Sequence, residues 1–251
     1  MEPDTASQVI LDATGIYYRA LNAQLRDLVA AGTEKIIIKN VYGQRYLGTN
    51  LNKHVEIEIH GTPGNDLGAF MDGPTITVHG NVQDGTGNTM NNGKIIVHGR
   101  TGDITGLSAR GGEIYIRDSV GYRAGIHIKE FGEKKPILVI GGTAQDFVGE
   151  YMAGGVLVLL GINIPGGKHK ANFVGTGMHG GVIYYRGTIE EHQLGKEVGA
   201  AELSDNDKMV LSKLVTEYAR LFGGNPGEIL NDKFTRLYPK YLRPYGRLYT
   251  Y

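Results

Sequence analysis

The 251 residues include no cysteine. That excludes disulfides, a cysteine nucleophile and cysteine-ligated iron–sulfur clusters on these residues. Net charge is missing too, since 26 basic side chains face 26 acidic ones. A nucleic-acid binder normally carries a basic field, so nucleic acid is not an expected partner. The longest apolar run lies around Val156 to Ile162. It is far shorter than the roughly 20 residues that span a bilayer, so no membrane partner is expected. The opening Met-Glu-Pro-Asp-Thr has neither the basic nor the apolar region of a signal peptide. A soluble, cytoplasmic protein is the expectation.

Nucleotide-binding glycine motifs are also lacking. Ile164-Pro165-Gly166-Gly167-Lys168-His169-Lys170 has the composition of a phosphate loop. Its spacing does not fit G-x-x-x-x-G-K-[ST], and no Ser or Thr follows Lys168. No G-x-G-x-x-G sits between a strand and a helix. An excursion from a regular coil is the expected role of this segment.

Glycine is what the chain has in excess: 39 residues, about twice the average share. They recur with a period. Ile57 to Gly68 reads Ile-Glu-Ile-His-Gly-Thr-Pro-Gly-Asn-Asp-Leu-Gly, and related stretches end 19 residues later at Gly87 and 19 later again at Gly106. The series is Gly48, Gly68, Gly87, Gly106, Gly125, Gly149 and Gly175, with spacings 20, 19, 19, 19, 24 and 26. The last two spacings fit 19 plus insertions, expected within Lys129–Pro136 and Ile164–Lys170. A fixed period of this size signals stacked units that share one core.

Nineteen residues leave no room for a helix per unit, since a βαβ unit needs roughly 30. Short strands turned by glycines fit instead. The fold class expected is an all-β solenoid, a single-stranded right-handed parallel β-helix of about seven coils. At ~4.8 Å per rung it would be roughly 30 Å long. Alternation sends Ile57/Ile59, Ile76/Val78, Ile95/Val97, Ile114/Ile116, Leu138/Ile140, Leu157/Leu159 and Ile183/Tyr185 inward as two columns. Met71, Met90, Ala109, Ile128, Met152 and Met178 form a third. The seven glycines are expected at corners with φ > 0. Asn65, Asp84, Asp103, Asp146 and Asn172 are expected at another such corner.

Three regions follow. Residues 1–34 hold an edge strand at Val9-Ile10-Leu11 and a helix from Tyr17 to Ala31, the expected N-terminal cap. Residues 35–190 are the coils. Residues 191–251 hold a helix from Ser204 or Asp205 to about Phe222, then a Tyr/Arg-rich tail. Tyr238, Tyr241, Arg243, Tyr245, Arg247 and Tyr249 mark that tail as a candidate arm for docking on the chain's own flank or on another subunit.

Candidate chemistry is sparse. His60, His79 and His98 sit one coil apart and could hold a metal, but no carboxylate joins them within the motif. An outward polar ladder is expected. Asp84, Asp103 and Asp146 could serve as acid/base carboxylates, which would need pairing at a set separation. Their glycine-flanked recurrence suits turns better. No catalytic, cofactor-binding or metal-ligating residue is assigned.

The coils Gly61–Gly73, Gly80–Gly93, Gly99–Gly112, Asp118–Ile128 and Gly142–Gly155 resemble the GXGXG domain at the C-terminus of the glutamate synthase large subunit. Formylmethanofuran dehydrogenase carries the same domain as one of its chains. Leu11-Asp12-Ala13-Thr14-Gly15, Tyr18-Arg19-Ala20-Leu21-Asn22 and Asn40-Val41-Tyr42-Gly43-Gln44-Arg45-Tyr46 are similar to the stand-alone third piece of split archaeal-type glutamate synthases. The resemblance implies a non-catalytic scaffold for separate glutaminase and FMN/iron–sulfur synthase subunits and for the ammonia path between them. FMN and the cluster would sit on those partners, with no cofactor on this chain. The alternatives are a scaffold of the formylmethanofuran dehydrogenase type and a polysaccharide-active β-helix enzyme. A homo-oligomer is left open.

Overall fold

The structure is a computed structural model that describes residues 8–162, 164 and 169–241. Strand β1 (Gln8–Asp12) and helix α1 (Tyr18–Ala30) come first. Then follow β2 (Lys35–Tyr42), β3 (Glu56–Thr62), β4 (Asp72–His79), β5 (Asn92–Val97), β6 (Glu113–Ile116), β7 (Ile137–Ile140), β8 (Ala153–Leu159) and β9 (Gly180–Arg186). Each pairs in parallel with the next, in chain order. The result is a β-solenoid of about six turns with few helices. Register follows the repeat, so Ile57, Ile76, Ile95, Ile114, Leu138, Leu157 and Ile183 stack in one line.

Those side chains and their i+2 neighbours are buried, as alternation along a strand requires. The third column, Met71, Met90, Ala109, Ile128, Met152 and Met178, is buried beside them. Each large apolar side chain removed from water contributes roughly 1.5–3 kcal/mol. Leu21, Leu25 and Val29 of α1 join the same core next to Ile36 and Ile38. Asn22 Nδ2 donates to the carbonyls of Tyr18 (2.8 Å) and Arg45 (2.9 Å), which ties the helix to the first coil.

The corner opposite the strands has a regular backbone. In every unit, three residues at alternate positions have φ > 0: 66, 68 and 70, then 85, 87 and 89, and so on to 173, 175 and 177. The seven glycines occupy the middle position, with φ between 65° and 74°. The asparagine/aspartate column does not take positive φ itself, contrary to expectation; the residue after it does, as at Asp66, Ile104, Phe147 and Phe173. The physical reason is that the Asx side chain has another task. Asp84 Oδ1 accepts the backbone N–H of Asp103, Asp103 Oδ1 that of Tyr122, and Asp146 Oδ1 that of Asn172, each at 2.8 Å. The carboxylates bridge coil to coil.

The solenoid ends in antiparallel pairing. Strand β10 (Val198–Ala201), helix α2 (Asp205–Phe222), helix α3 (Pro226–Leu230) and β11 (Phe234–Pro239) follow β9. Strand β11 runs antiparallel between β9 and β10. Ser204 caps α2: its Oγ accepts from Asp207 N, while Asp207 Oδ2 accepts from Ser204 N. Along α2, Leu211, Leu214, Val215 and Tyr218 pack on Tyr115, Val139, Val158 and Tyr184, the outward face of β6 to β9.

A methyl group at Gly149 would lie 2.7 Å from Ile183 Cδ1, inside the packed column. At Gly106 the nearest atom would be 3.5 Å away, and only the left-handed backbone resists substitution. Gly106→Ala is expected to cost about 1 kcal/mol. Gly149→Ala is expected to cost more, by roughly 1–3 kcal/mol of overpacking. Urea unfolding midpoints read the difference, and equal shifts would refute the packing account.

His169 lies buried where the second insertion re-enters the coil, its Nδ1 3.0 Å from Thr143 Oγ1 and its ring 4.5 Å from that of Tyr185. Burial, then the charge of Arg186, pushes it down to about 4. Unfolded, it takes up a proton at its ordinary value, near 6.5; folded, it does so only near 4. Its contribution is therefore complete above about pH 6.5 and is lost as pH falls toward about 4, by up to ~3 kcal/mol. Melting temperature should fall across that window more steeply for the native chain than for His169→Gln. Parallel curves would show that His169 is not the group responsible.

Candidate functional site

The solenoid presents three surfaces where chemistry could occur: the outer sheet face, the turn corner and the C-terminal strand with the tail beyond it. On the sheet face, the outward position one rung apart runs Glu58, Thr77, Ile96, Tyr115, Val139, Val158, Tyr184. Polar residues begin this line and apolar ones finish it. Helix α2 covers the apolar end, and salt bridges fix its edge: Lys94 Nζ reaches Glu113 at 3.0 Å and Glu217 at 2.9 Å. Arg220 and Lys94 hold Glu217 down to about 2, against the cost of its partial burial.

The polar end carries the histidines. His60 stacks on His79 with ring centroids 4.7 Å apart, and His79 on His98 at 5.1 Å. The outward ladder is therefore present. Glu58, however, lies among the imidazoles: its Oε1 is 3.0 Å from His60 Nε2 and 3.1 Å from His79 Nε2. Scanning only the recurrent motif misses Glu58, which occurs on one rung alone. The signal was alternation, since residues i and i+2 of a strand share a face. Partial burial raises the Glu58 pKa, but His79, Lys35 and His60 outweigh it and hold the carboxyl below its ordinary range. His98, by contrast, meets no carboxylate among the described residues and lies edge-on to Phe222 at 5.1 Å. Burial, His79 and Arg117 lower its pKa.

The turn corner holds Asp84, Asp103 and Asp146, each engaged by the amide of the next coil. A groove of about 580 Å³ runs beside Asp84, lined by Asn81, Gln83, Arg100, Ser119 and Gln145 among others. A second cleft, about 610 Å³, lies between the C-terminal end of α2 and the sheet and is lined by Arg117, Asp118, Arg186 and Glu228. The phosphate-loop-like residues 165–168 lie outside the described residues.

One feature of the corner was not anticipated. Bulky aromatic residues occupy left-handed positions without being buried: Tyr151 and Phe173 are exposed and Phe147 is half-buried. Phe147 stacks on Phe173 at 4.8 Å, His127 on Tyr151 at 5.3 Å, and the Arg123 guanidinium lies 4.8 Å over Phe147. Non-glycine residues in this conformation cost of order 1–3 kcal/mol each. The legible signal was aromatic side chains at sites where the period demands turns.

The C-terminal arm begins inside the sheet. Tyr238 belongs to β11, where its ring packs against Gly199 and under Arg236. Tyr241 is exposed just after the strand. Arg243, Tyr245, Arg247 and Tyr249 lie outside the described residues. No helix among the described residues is long and apolar enough to cross a membrane.

Comparison with known proteins agrees with this geometry. The model of the GXGXG motif family matches residues 25–245, from α1 through the coils to β11. An uncharacterized protein of Methanocaldococcus jannaschii is 46% identical over 252 residues, covering 97% of this chain and 97% of its own length. The match spans the whole run of glycine corners, and the chain belongs to the GXGXG motif family, that of the glutamate synthase C-terminal domain.

Proposed function

We propose that the chain is a non-catalytic scaffold subunit of a glutamate synthase. It would bind a separate glutaminase and a separate FMN/iron–sulfur synthase and line the ammonia path between them. The observation that carries this reading is the family match over residues 25–245. Two features support it. The residues lack the cysteine that a glutaminase nucleophile or an iron–sulfur ligand requires. The described Asp side chains of the corner are spent on backbone amides, as suits a rigid support.

The finer architecture belongs to the same proposal: seven right-handed coils, with α1 closing one end and the C-terminal elements the other. The exposed rings of Phe173 and Tyr151, stacked on Phe147 and His127, are the contact surface this reading favours. Their backbone conformation is set by the corner, but their exposed aromatic faces are not, and aromatic side chains contribute strongly at interfaces.

Affinity capture of the tagged chain from its native host, with identification of the retained proteins, tests the role. A glutaminase and an FMN/iron–sulfur protein are the expected companions. Phe173→Ser with Tyr151→Ser should weaken their retention while leaving the melting temperature within a few degrees. Retention of molybdopterin-enzyme subunits instead would overturn the glutamate synthase assignment, and unchanged retention by the double variant would remove the aromatic stack from the interface.

A further inference from the structure

We propose that Glu58, His60 and His79 form a binding site for a divalent first-row metal ion, of the zinc type, on the uncovered outer face of β3 and β4. Parallel pairing places His60 directly beside His79, and alternation places Glu58 on the same face two residues before His60. Solenoid geometry therefore brings together three donors from two rungs. All three donor atoms lie within 4.8 Å of one another.

Both imidazoles direct Nε2 at a single oxygen, Glu58 Oε1. With a proton on each Nε2 these are two hydrogen bonds to one acceptor. A cation bound at both Nε2 atoms takes the place of these protons, each imidazole shifting to its Nδ1–H tautomer. Zinc bonds of about 2.0–2.2 Å in a tetrahedron set neighbouring donors about 3.3 Å apart. The observed separations from Glu58 Oε1, 3.0 and 3.1 Å, need only a small expansion.

Two imidazoles and one carboxylate are a donor set that first-row divalent ions accept, with a coordination position left over. That position faces solvent here, since the His60 and His79 side chains are 44% and 40% exposed. The rest of the ladder marks the limits of the site. Thr77 and Ile96 take the place of Glu58 on the next two rungs, so His98 stacks without a carboxylate. Lys35 Nζ, 3.6 Å from Glu58 Oε2, holds the other carboxylate oxygen and orients it. Its charge opposes a bound cation and sets the affinity lower than the donor set alone would give.

Calorimetric titration of the full chain with Zn²⁺, followed by Co²⁺ absorption in the visible region, tests the assignment. One ion per chain is expected, with cobalt bands of low coordination number. Losing a direct ligand should cost at least what losing an outer partner does, roughly tenfold in affinity. His79→Ala and Glu58→Gln are each expected to show that loss, His98→Ala to bind like the native chain and Lys35→Met to bind tighter. These residues are exposed or half-buried, so the variants should fold, and Glu58→Gln also preserves side-chain shape. Absence of zinc binding would overturn the proposal, as would His79→Ala and Glu58→Gln chains that bind as tightly as the native one.

Discussion

The solenoid depends on one backbone device, the alternation of left-handed residues at each corner. The N–H groups of residues 66 and 70 point to the following coil, donating to Asp84 O and Asn88 O at 2.8 Å each. The N–H of Gly68, between them, points back and donates to Leu47 O at 2.8 Å. The same exchange recurs at residues 85, 87 and 89 and onward. Buried backbone groups must be paired, and a corner has no sheet ladder of its own to pair them. Alternating handedness solves this by sending donors both up and down the stack. The middle residue faces the core, where a side chain would meet the apolar column of the next rung at every corner but that of Gly106, so elsewhere glycine is required on two grounds.

This constraint explains why the fold was so legible. A period that fixes a glycine also fixes the strand before it and the inward columns beside it. The inward pairs Ile76/Val78, Ile114/Ile116 and Leu138/Ile140 fall within β4, β6 and β7, and both apolar columns and the methionine column are buried. Where the repeat stops, the reading weakens. Strand β11 belongs to no repeat. It joins the sheet because β9 would otherwise leave an open edge, and pattern alone does not reveal such edge pairing. The Asx column lies one residue away from the left-handed position expected of it, for a related reason. Glycine, asparagine and aspartate all mark turns, but only the hydrogen bonds distinguish a residue that adopts φ > 0 from one that bridges coils.

The outer face shows a second kind of information, legible only once register is known. Read along the chain, Glu58, Thr77, Ile96, Tyr115, Val139, Val158 and Tyr184 are unrelated. Read down the stack, they form one line that changes from polar to apolar at the rung where α2 begins its cover. Tyr218 Oη donates to Arg117 O at 2.8 Å and packs on Gly141, the one rung where the histidine line has no side chain. The docking site for α2 was thus written in the sequence, with a spacing of one coil in place of one strand step.

Stacking repeated units at about 4.8 Å has an electrostatic consequence. A residue type repeated at one position accumulates like charge on adjacent rungs. Repeated lysine or glutamate would repel at that distance, whereas imidazole can stay neutral and stack. Where the column does carry charge, the structure compensates nearby: Glu58 lies among two histidines and Lys35, and Arg123 pairs with Glu150 beneath the aromatic stack. A solenoid therefore concentrates identical side chains into ladders, and the isolated opposite charge beside a ladder is where ligand chemistry becomes possible. In this chain that place is the rung of Glu58, left uncovered because α2 turns away at Phe222, one imidazole short of it.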